Sequence, residues 1–248
     1  MGIFGKLFKN KPAKLKDFSS LRVDMHSHLI PGIDDGAATM ADSLTLIRRM
    51  SELGFEKLIT TPHIQGEFFK NTPEIILSGL DKVRAAVKNE NIPIQIEAAA
   101  EYLIDDNFME KFESKNLLTL MDKYLLIELS YYTPHPNLKE ILFELQLAGY
   151  KIILAHPERY SYWFNNFKKY EELKDRDISF QLNTISISGY YSMQVKKIAK
   201  KLIENEMIDF LGSDMHNPTY MEGLVKSLDE KLLHKVLASG KIRNSTLI

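Results

Sequence analysis

His26-Ser27-His28 places two imidazoles two residues apart, and on an extended backbone residues i and i+2 project to the same face, so both rings can reach one cation. Asp214-Met215-His216 repeats that spacing with a carboxylate and an imidazole. His63, Glu101, Glu128 and His156 add four further oxygen or nitrogen donors, each at or just beyond a short apolar run. Glu101 closes Ile-Glu-Ala-Ala-Ala-Glu and Glu128 follows Tyr-Leu-Leu-Ile. A carboxylate placed there is costly unless it is paired or bound to metal, so a buried salt bridge is the competing account. Asp35, in Pro31-Gly32-Ile33-Asp34-Asp35-Gly36, either joins the donors or simply belongs to a turn. Arg159, in His156-Pro157-Glu158-Arg159-Tyr160, could grip a phosphate bidentately or pair with Glu158 or another carboxylate. His135, between two prolines, reads as loop structure, and His234, among Leu232, Leu233 and Leu237, reads as part of an amphipathic helix.

These donors need elements that bring them together. Apolar, often β-branched runs at Leu21–Met25, Lys57–Thr61, Ile92–Ala99, Tyr124–Leu129, Lys151–Ala155, Ile178–Leu182 and Met207–Leu211 are predicted strands. Helical periods lie between them: a helix with Leu44, Ile47, Met50 and Leu53 on one face, stopped by Gly54, then Pro73–Lys88, Asn137–Ala148, Met193–Asn205 and Leu228–Ala238. Every predicted strand except the sixth delivers a metal-capable residue at its C-terminal end. In a β/α barrel those ends converge on one rim, whereas an open sheet would string them along an edge, so the expectation is an α/β fold with a seven-stranded (β/α)7 barrel.

Bulk properties set the bounds. The 248 residues, with 44% hydrophobic and 26% charged side chains, describe an ordinary globular chain, expected to form one domain from 21 to 248 after a basic extension over 1–20. A formal charge of −1 offers no broad field for nucleic acid, so none is expected as a partner. No cysteine is present, which excludes thiolate metal sites, disulfides and a cysteine nucleophile. The donor set suits Mn²⁺, Zn²⁺ or Fe²⁺. Neither a membrane-spanning run nor a signal peptide is visible, so a cytoplasmic location is expected. Ile3, Phe4, Leu7 and Phe8 among the first basic residues could rest weakly on an anionic membrane; a frayed extension is the plainer reading.

The chain resembles the bacterial polymerase-and-histidinol-phosphatase (PHP) type of tyrosine-protein phosphatase associated with capsule and exopolysaccharide synthesis. The likeness rests on Asp24-Met25-His26-Ser27-His28-Leu29-Ile30-Pro31-Gly32-Ile33-Asp34-Asp35-Gly36, Thr60-Thr61-Pro62-His63, Ala100-Glu101-Tyr102, Ala155-His156-Pro157-Glu158-Arg159-Tyr160 and Gly212-Ser213-Asp214-Met215-His216-Asn217, and runs from about Leu21 to Leu224. It implies a distorted seven-stranded PHP barrel, three divalent ions with manganese preferred, and hydrolysis of phosphotyrosine on a bacterial tyrosine autokinase. It makes His26, His28, Asp35, His63, Glu101, Glu128, His156, Asp214 and His216 metal ligands, and Arg159, Asp35 and His63 the catalytic set, with Arg159 on the phosphate. Three divalent ions against these carboxylates leave about +2 or +3, a seat for a phosphate dianion. One departure stands out: such relatives carry a longer loop with a second phosphate-binding arginine after Asp-x-His, and Asn217-Pro218-Thr219-Tyr220-Met221-Glu222 has none.

Three other functions compete. A small phosphomonoester such as histidinol phosphate would use the same chemistry, a non-catalytic PHP-like module would bind a kinase or polymerase without turnover, and a nuclease would use similar metals. For a protein-tyrosine phosphatase, Phe68, Phe69, Tyr131, Tyr132, Tyr190 and Tyr191 could form an aromatic rim, although such pairs are more commonly packing residues.

Overall fold

The computed structural model describes residues 15–248; residues 1–14, most of the expected basic extension, lie outside the described residues. Phe18 is already fully buried, stacks on Phe55 at 5.1 Å, and donates its N–H to the carbonyl of Leu53.

Among the described residues the architecture is α/β with the strands pairing in parallel, but the seven predicted strands of one barrel become nine short strands in two sheets. The smaller sheet has the order β1 (Val23–Asp24), β2 (Lys57–Thr60), β4 (Gln95–Ala98). The larger runs β3 (His63–Ile64), β5 (Glu101–Leu103), β6 (Tyr124–Glu128), β7 (Lys151–Ala155), β8 (Ser179–Asn183), β9 (Phe210–Gly212). Two predicted strands each split. The run at Lys57–Thr61 ends at Thr60 and resumes past Thr61-Pro62 as β3, since a proline has no N–H to continue a ladder. The run at Ile92–Ala99 yields β4, and the chain then crosses Ala99-Ala100 into β5. The shift sets His63 directly opposite Glu101 in the new ladder. Backbone bonds still join the two sheets where the segment after β1 meets the segment after β9, Asp214 N–H to the carbonyl of His26 and His28 N–H to that of Met215, at 2.8 and 2.9 Å.

Alternation along the strands divides the core. Leu125, Ile127, Ile152, Leu154 and Leu182 face the surrounding helices, while Leu126, Ile153, Ala155 and Phe210 join Val23, Met25, Ile59 and Ala99 in an inner cluster. Two residues further along the same inward face stand Glu128 on β6 and Asn183 on β8, so the apolar interior turns polar toward the strands' C-terminal ends. The opposite end is closed by the last residues: the Asn244 amide donates to the carbonyls of Val23 and Leu211 and accepts from Leu211 N–H, and Lys57 Nζ donates to Leu247 O at 2.7 Å.

Helices α1 (Met40–Glu52), α2 (Pro73–Asn89), α4 (Leu138–Leu147) and α7 (Met193–Glu204) form where the 3.6-residue pattern predicts them. Thr39 and Asp42 cap α1 reciprocally, and Thr72 followed by Pro73 starts α2. The short helices α3 (Phe108–Glu113), α5 (Lys168–Lys174) and α6 (Thr184–Ile187) are additional. The predicted final helix is shorter, as α9 (Lys231–Ala238), and is preceded by α8 (Pro218–Ser227), whose start is capped by the Asn217 side chain.

Candidate metal centre

The nine residues that the resemblance implies as metal ligands come together in one cluster, beyond the C-terminal ends of β1, β2, β4, β7 and β9 and at the last residue of β6, so that His63 and Glu101, expected just past the ends of their strands, also open β3 and β5. They fall into overlapping groups whose donor atoms lie within 4.8 Å of one another: His28, Asp35, His63 and His216; His26, His28 and Asp214; His26, Glu101 and His156; His63, Glu101 and Glu128. All are buried except Asp35, whose side chain keeps 57% of its exposure and marks the solvent side of the cluster. His135 and His234 stay outside it, the first beside Asp106 at 3.2 Å and the second against Leu228 O at 2.9 Å.

Which nitrogen of each ring faces the cluster is set from behind. His26 Nδ1 meets Gln181 Oε1 at 2.8 Å, His28 Nδ1 meets Asp34 Oδ2 at 2.8 Å, and His216 Nδ1 meets the carbonyl of Asp214 at 2.7 Å. Each partner is an acceptor, so each Nδ1 carries hydrogen and each Nε2 points inward. There the Nε2 atoms of His26 and His28 face one another at 3.3 Å, and His26 Nε2 lies 3.2 Å from Glu101 Oε2 and 3.4 Å from Asp214 Oδ1. Neutral rings would aim lone pairs at lone pairs and at carboxylates, an arrangement that needs either protons or cations between the atoms. Buried Glu101 Oε2, His63 Nδ1 and His156 Nδ1 also lack a hydrogen-bond partner. The donor set therefore fits divalent cations on its own chemistry.

Without cations, protons fill the same role. Burial opposes charge on His28, yet the Asp34 carboxylate outweighs it and raises the imidazole to about 10. Burial also works against the Asp34 carboxylate, which His28 and His63 nevertheless hold down at about 2. Glu101 and Asp214 are likewise buried, but His26 and His63 keep the first, and His26 and His216 the second, well below the usual carboxylate range.

Sequence reasoning passed over the groups that hold the donors. The sixth predicted strand, silent in metal-capable residues, contains Gln181, and its observed counterpart β8 extends one residue further to Asn183: Gln181 Nε2 donates to Asn183 Oδ1 at 2.9 Å, and Asn183 Nδ2 donates to Asp214 Oδ2 at 2.7 Å. One relay thus runs from His26 to Asp214. Their inward i, i+2 spacing was the available signal. Asp34, overlooked beside Asp35, also accepts from the N–H groups of His63 and Gly36. Gly36 is required at this place, because a Cβ there would sit 2.2 Å from the carbonyl oxygen of His28. His156 and Asp214 adopt positive φ, 33° and 53°, a conformation that side chains other than glycine seldom take and that recurs at functional sites.

Arg159 enters the cluster and pairs with Asp214 Oδ2 at 3.0 Å. Glu158 instead turns inward, accepting from Ser186 Oγ and Asn183 N–H. The guanidinium lies over two rings, 4.7 Å from the centroid of Tyr131 and 4.1 Å from that of Tyr191. Phe69 stacks on His63, Tyr131 on His156, and Tyr220 tilts over His216, so aromatic rings surround the donors; Phe68 and Tyr132 project into solvent.

Comparison with known proteins agrees with this geometry. The family profile described as capsular polysaccharide synthesis, CpsB/CapC, matches residues 22–239. The tyrosine-protein phosphatase YwqE of Bacillus subtilis is 31% identical over 196 residues, covering 79% of this chain and 77% of that protein. A crystal structure from a study of YwqE and of CpsB from Streptococcus pneumoniae, described there as metal-dependent tyrosine phosphatases, superposes with a TM-score of 0.75 at 28% identity, covering 90% of this chain and 94% of that one. A histidinol phosphate phosphatase from Lactococcus lactis, solved with zinc, L-histidinol and phosphate, shares the fold at a TM-score of 0.51 and 14% identity, over 84% of this chain and 94% of that one. This chain belongs to the CpsB/CapC family of capsular polysaccharide synthesis proteins.

Proposed function

We propose that this chain is a metal-dependent protein-tyrosine phosphatase, acting in the cytoplasm on a phosphotyrosyl protein, in particular a bacterial tyrosine kinase of capsule or exopolysaccharide synthesis. Residues 21–248 form its single catalytic domain. The observation that carries the reading is the set of inward Nε2 atoms held by acceptors behind them and facing carboxylates in front. No helix among the described residues is long and apolar enough to cross a membrane.

A neutral imidazole has one lone pair to give, so no ring serves two ions. The nine donors can then be assigned without sharing a ring: His26, His28 and Asp214 to one ion, Asp35, His63 and His216 to a second, and His156, whose Nε2 lies 3.0 Å from Glu101 Oε1 and 3.9 Å from Glu128 Oε2, with those two carboxylates to a third. Three divalent ions follow, with Mn²⁺ the first choice and Fe²⁺ or Zn²⁺ compatible with the same donors. Bound there, such ions supply Lewis acidity toward the phosphoryl oxygens and an activated water as nucleophile. The protein's own contribution is positional. Arg159, fixed between two rings, keeps a guanidinium N–H edge available to a phosphate oxygen. Asp35 and His63 stand at the mouth, where Asp35 Oδ1, 3.4 Å from His63 Nε2, orients groups that enter from solvent. The surrounding rings accept a flat phenol, which favours phosphotyrosine over an aliphatic phosphate ester.

Turnover of a phosphotyrosyl peptide and of histidinol phosphate by chelator-stripped protein, before and after addition of Mn²⁺, tests the reading. Metal-restored hydrolysis of the peptide is the expected result. Preference for histidinol phosphate would move the chain to the small-molecule class, and no hydrolysis with metal bound would make it a binding module.

A further inference from the structure

Tyr190 and Tyr191 do more than border the metal centre: the chain passes directly from them into α7, whose first turn is capped by Ser192. Tyr191 Oη lies 3.0 Å from Asp214 Oδ2 on one side, and on the other α7 packs beside α9 to leave an open groove of about 680 Å³. Five of the residues lining that groove are lysines, Lys196, Lys197, Lys200, Lys231 and Lys235, against a single carboxylate, Glu230. Lys196 is paired with Glu230 at 2.8 Å and Lys200 reaches Glu204 only at 3.8 Å. Glu230, Glu204 and Glu206 form their ion pairs with Lys196, Lys200 and Lys241 rather than with Lys197, Lys231 or Lys235, although Glu206 is near enough to act on Lys235 through space. Met193, 74% exposed, and Leu232 give the groove an apolar side. In a chain with net charge −1, this concentration of positive charge is local.

We infer that this groove docks an acidic segment of the phosphotyrosyl substrate, next to the residue being dephosphorylated. The inference rests on the proposed phosphatase reading and supplies its sequence preference. Five lysines against one carboxylate select an acidic occupant over a basic one. Helix geometry sets the scale of the spacing. Along a helix rising about 1.5 Å per residue, Lys196 to Lys200 lie roughly 6–12 Å beyond Ser192. An extended peptide covers that in two to four residues, at about 3.3–3.6 Å each. Glutamate or aspartate two to four positions from the phosphotyrosine therefore reaches the lysines while the phosphate occupies the metal centre.

The Mn²⁺-loaded enzyme is given two phosphotyrosyl peptides, one with glutamates and one with glutamines two to four positions from the tyrosine on both sides. Binding of the unphosphorylated glutamate peptide is followed separately by fluorescence anisotropy. We expect KM to be roughly tenfold lower for the glutamate peptide at low salt, a preference abolished at 0.5 M salt and by Lys197→Glu/Lys231→Glu/Lys235→Glu. Turnover of free phosphotyrosine by that variant should be unchanged, because none of the three lysines touches the site. Equal KM values for the two peptides would overturn the inference. So would a variant that loses only binding to phosphatidylglycerol vesicles, or only self-association, with its peptide preference intact. Loss of glutamate-peptide binding in the variant, with neither peptide hydrolysed by any form, would keep the docking surface and remove the phosphatase reading instead.

Discussion

Replacing Gln181 by methionine tests whether the relay behind the metal centre sets metal affinity. Gln181 is wholly buried and spends its carbonyl on His26 Nδ1 at 2.8 Å and its amide on Asn183 at 2.9 Å. Methionine fills a similar volume and offers neither group. His26 then keeps hydrogen on Nδ1 as a buried donor without acceptor, at about 1–3 kcal/mol, or moves it to Nε2. In the second case Nε2 no longer has a lone pair to direct toward Glu101 and Asp214, and a cation loses that ligand. Asn183 meanwhile loses the donor to its Oδ1, loosening its hold on Asp214. Loss of such an outer partner weakens metal binding by about 10–100-fold, equivalent to about 1.4–2.7 kcal/mol. Calorimetric titration of Mn²⁺ into chelator-stripped protein measures this, with Tm of the metal-free variant as the control for folding. At about 2–4 °C per kcal/mol for a chain of this size, the metal-free Tm should fall by no more than about 12 °C. A variant that folds and binds Mn²⁺ as tightly as the parent would refute the argument.

Arg159→Ala should raise the inhibition constant for inorganic phosphate by about 10–100-fold while metal content, measured by elemental analysis, stays the same; Arg159→Lys should recover little of the loss, because one ammonium does not reproduce a planar fork stacked between two rings. Metal binding should release protons near pH 7: in the metal-free protein Asp34, overcoming burial, raises His28 to about 10, so the ring holds a proton that a cation must displace. The observed binding enthalpy should then depend on the ionisation enthalpy of the buffer, and affinity should rise as pH approaches 10; buffer-independent enthalpies would contradict this. Gly36→Ala forces a Cβ to within 2.2 Å of His28 O, and the displacement should cost about 1–3 kcal/mol by thermal unfolding and weaken Mn²⁺ binding together.

What could be read from the sequence follows a physical division. His26 with His28, and Asp214 with His216, were legible because i, i+2 spacing at the end of an apolar run fixes a common direction, and metal donors belong to a short list of residue types. Gln181 and Asn183 have that same spacing and face the same interior, but uncharged amides are common in strands and carry no titration signature, so the spacing alone did not mark them; the 2.8 Å approach of Gln181 to a histidine 155 positions away does. Asp34 and Asp35 are adjacent and chemically alike, and which of them turns inward depends on a loop held by Gly36 rather than on any periodicity. Five helices were visible through their apolar stripes, although the last was drawn three residues too early, and the longer α8 went unread despite Asn217-Pro218, a usable helix start. The strand count failed at Pro62 and at Ala99-Ala100, where an apolar run continues while its hydrogen-bonding partners change. Local composition records burial, not partnership.

The amide of Asn244 has a consequence for the order of assembly. It bridges the carbonyls of Val23 on β1 and Leu211 on β9, while Lys57 is tied to Leu247. A nascent chain halted before this tail can pair its successive β-α units, but the seam between its earliest and latest strands lacks these clasps. Completion of the fold is thereby coupled to completion of translation through residue 244, and a ribosome-stalled fragment should expose the floor of the protein to proteolysis while its neighbouring parallel ladders are already in place.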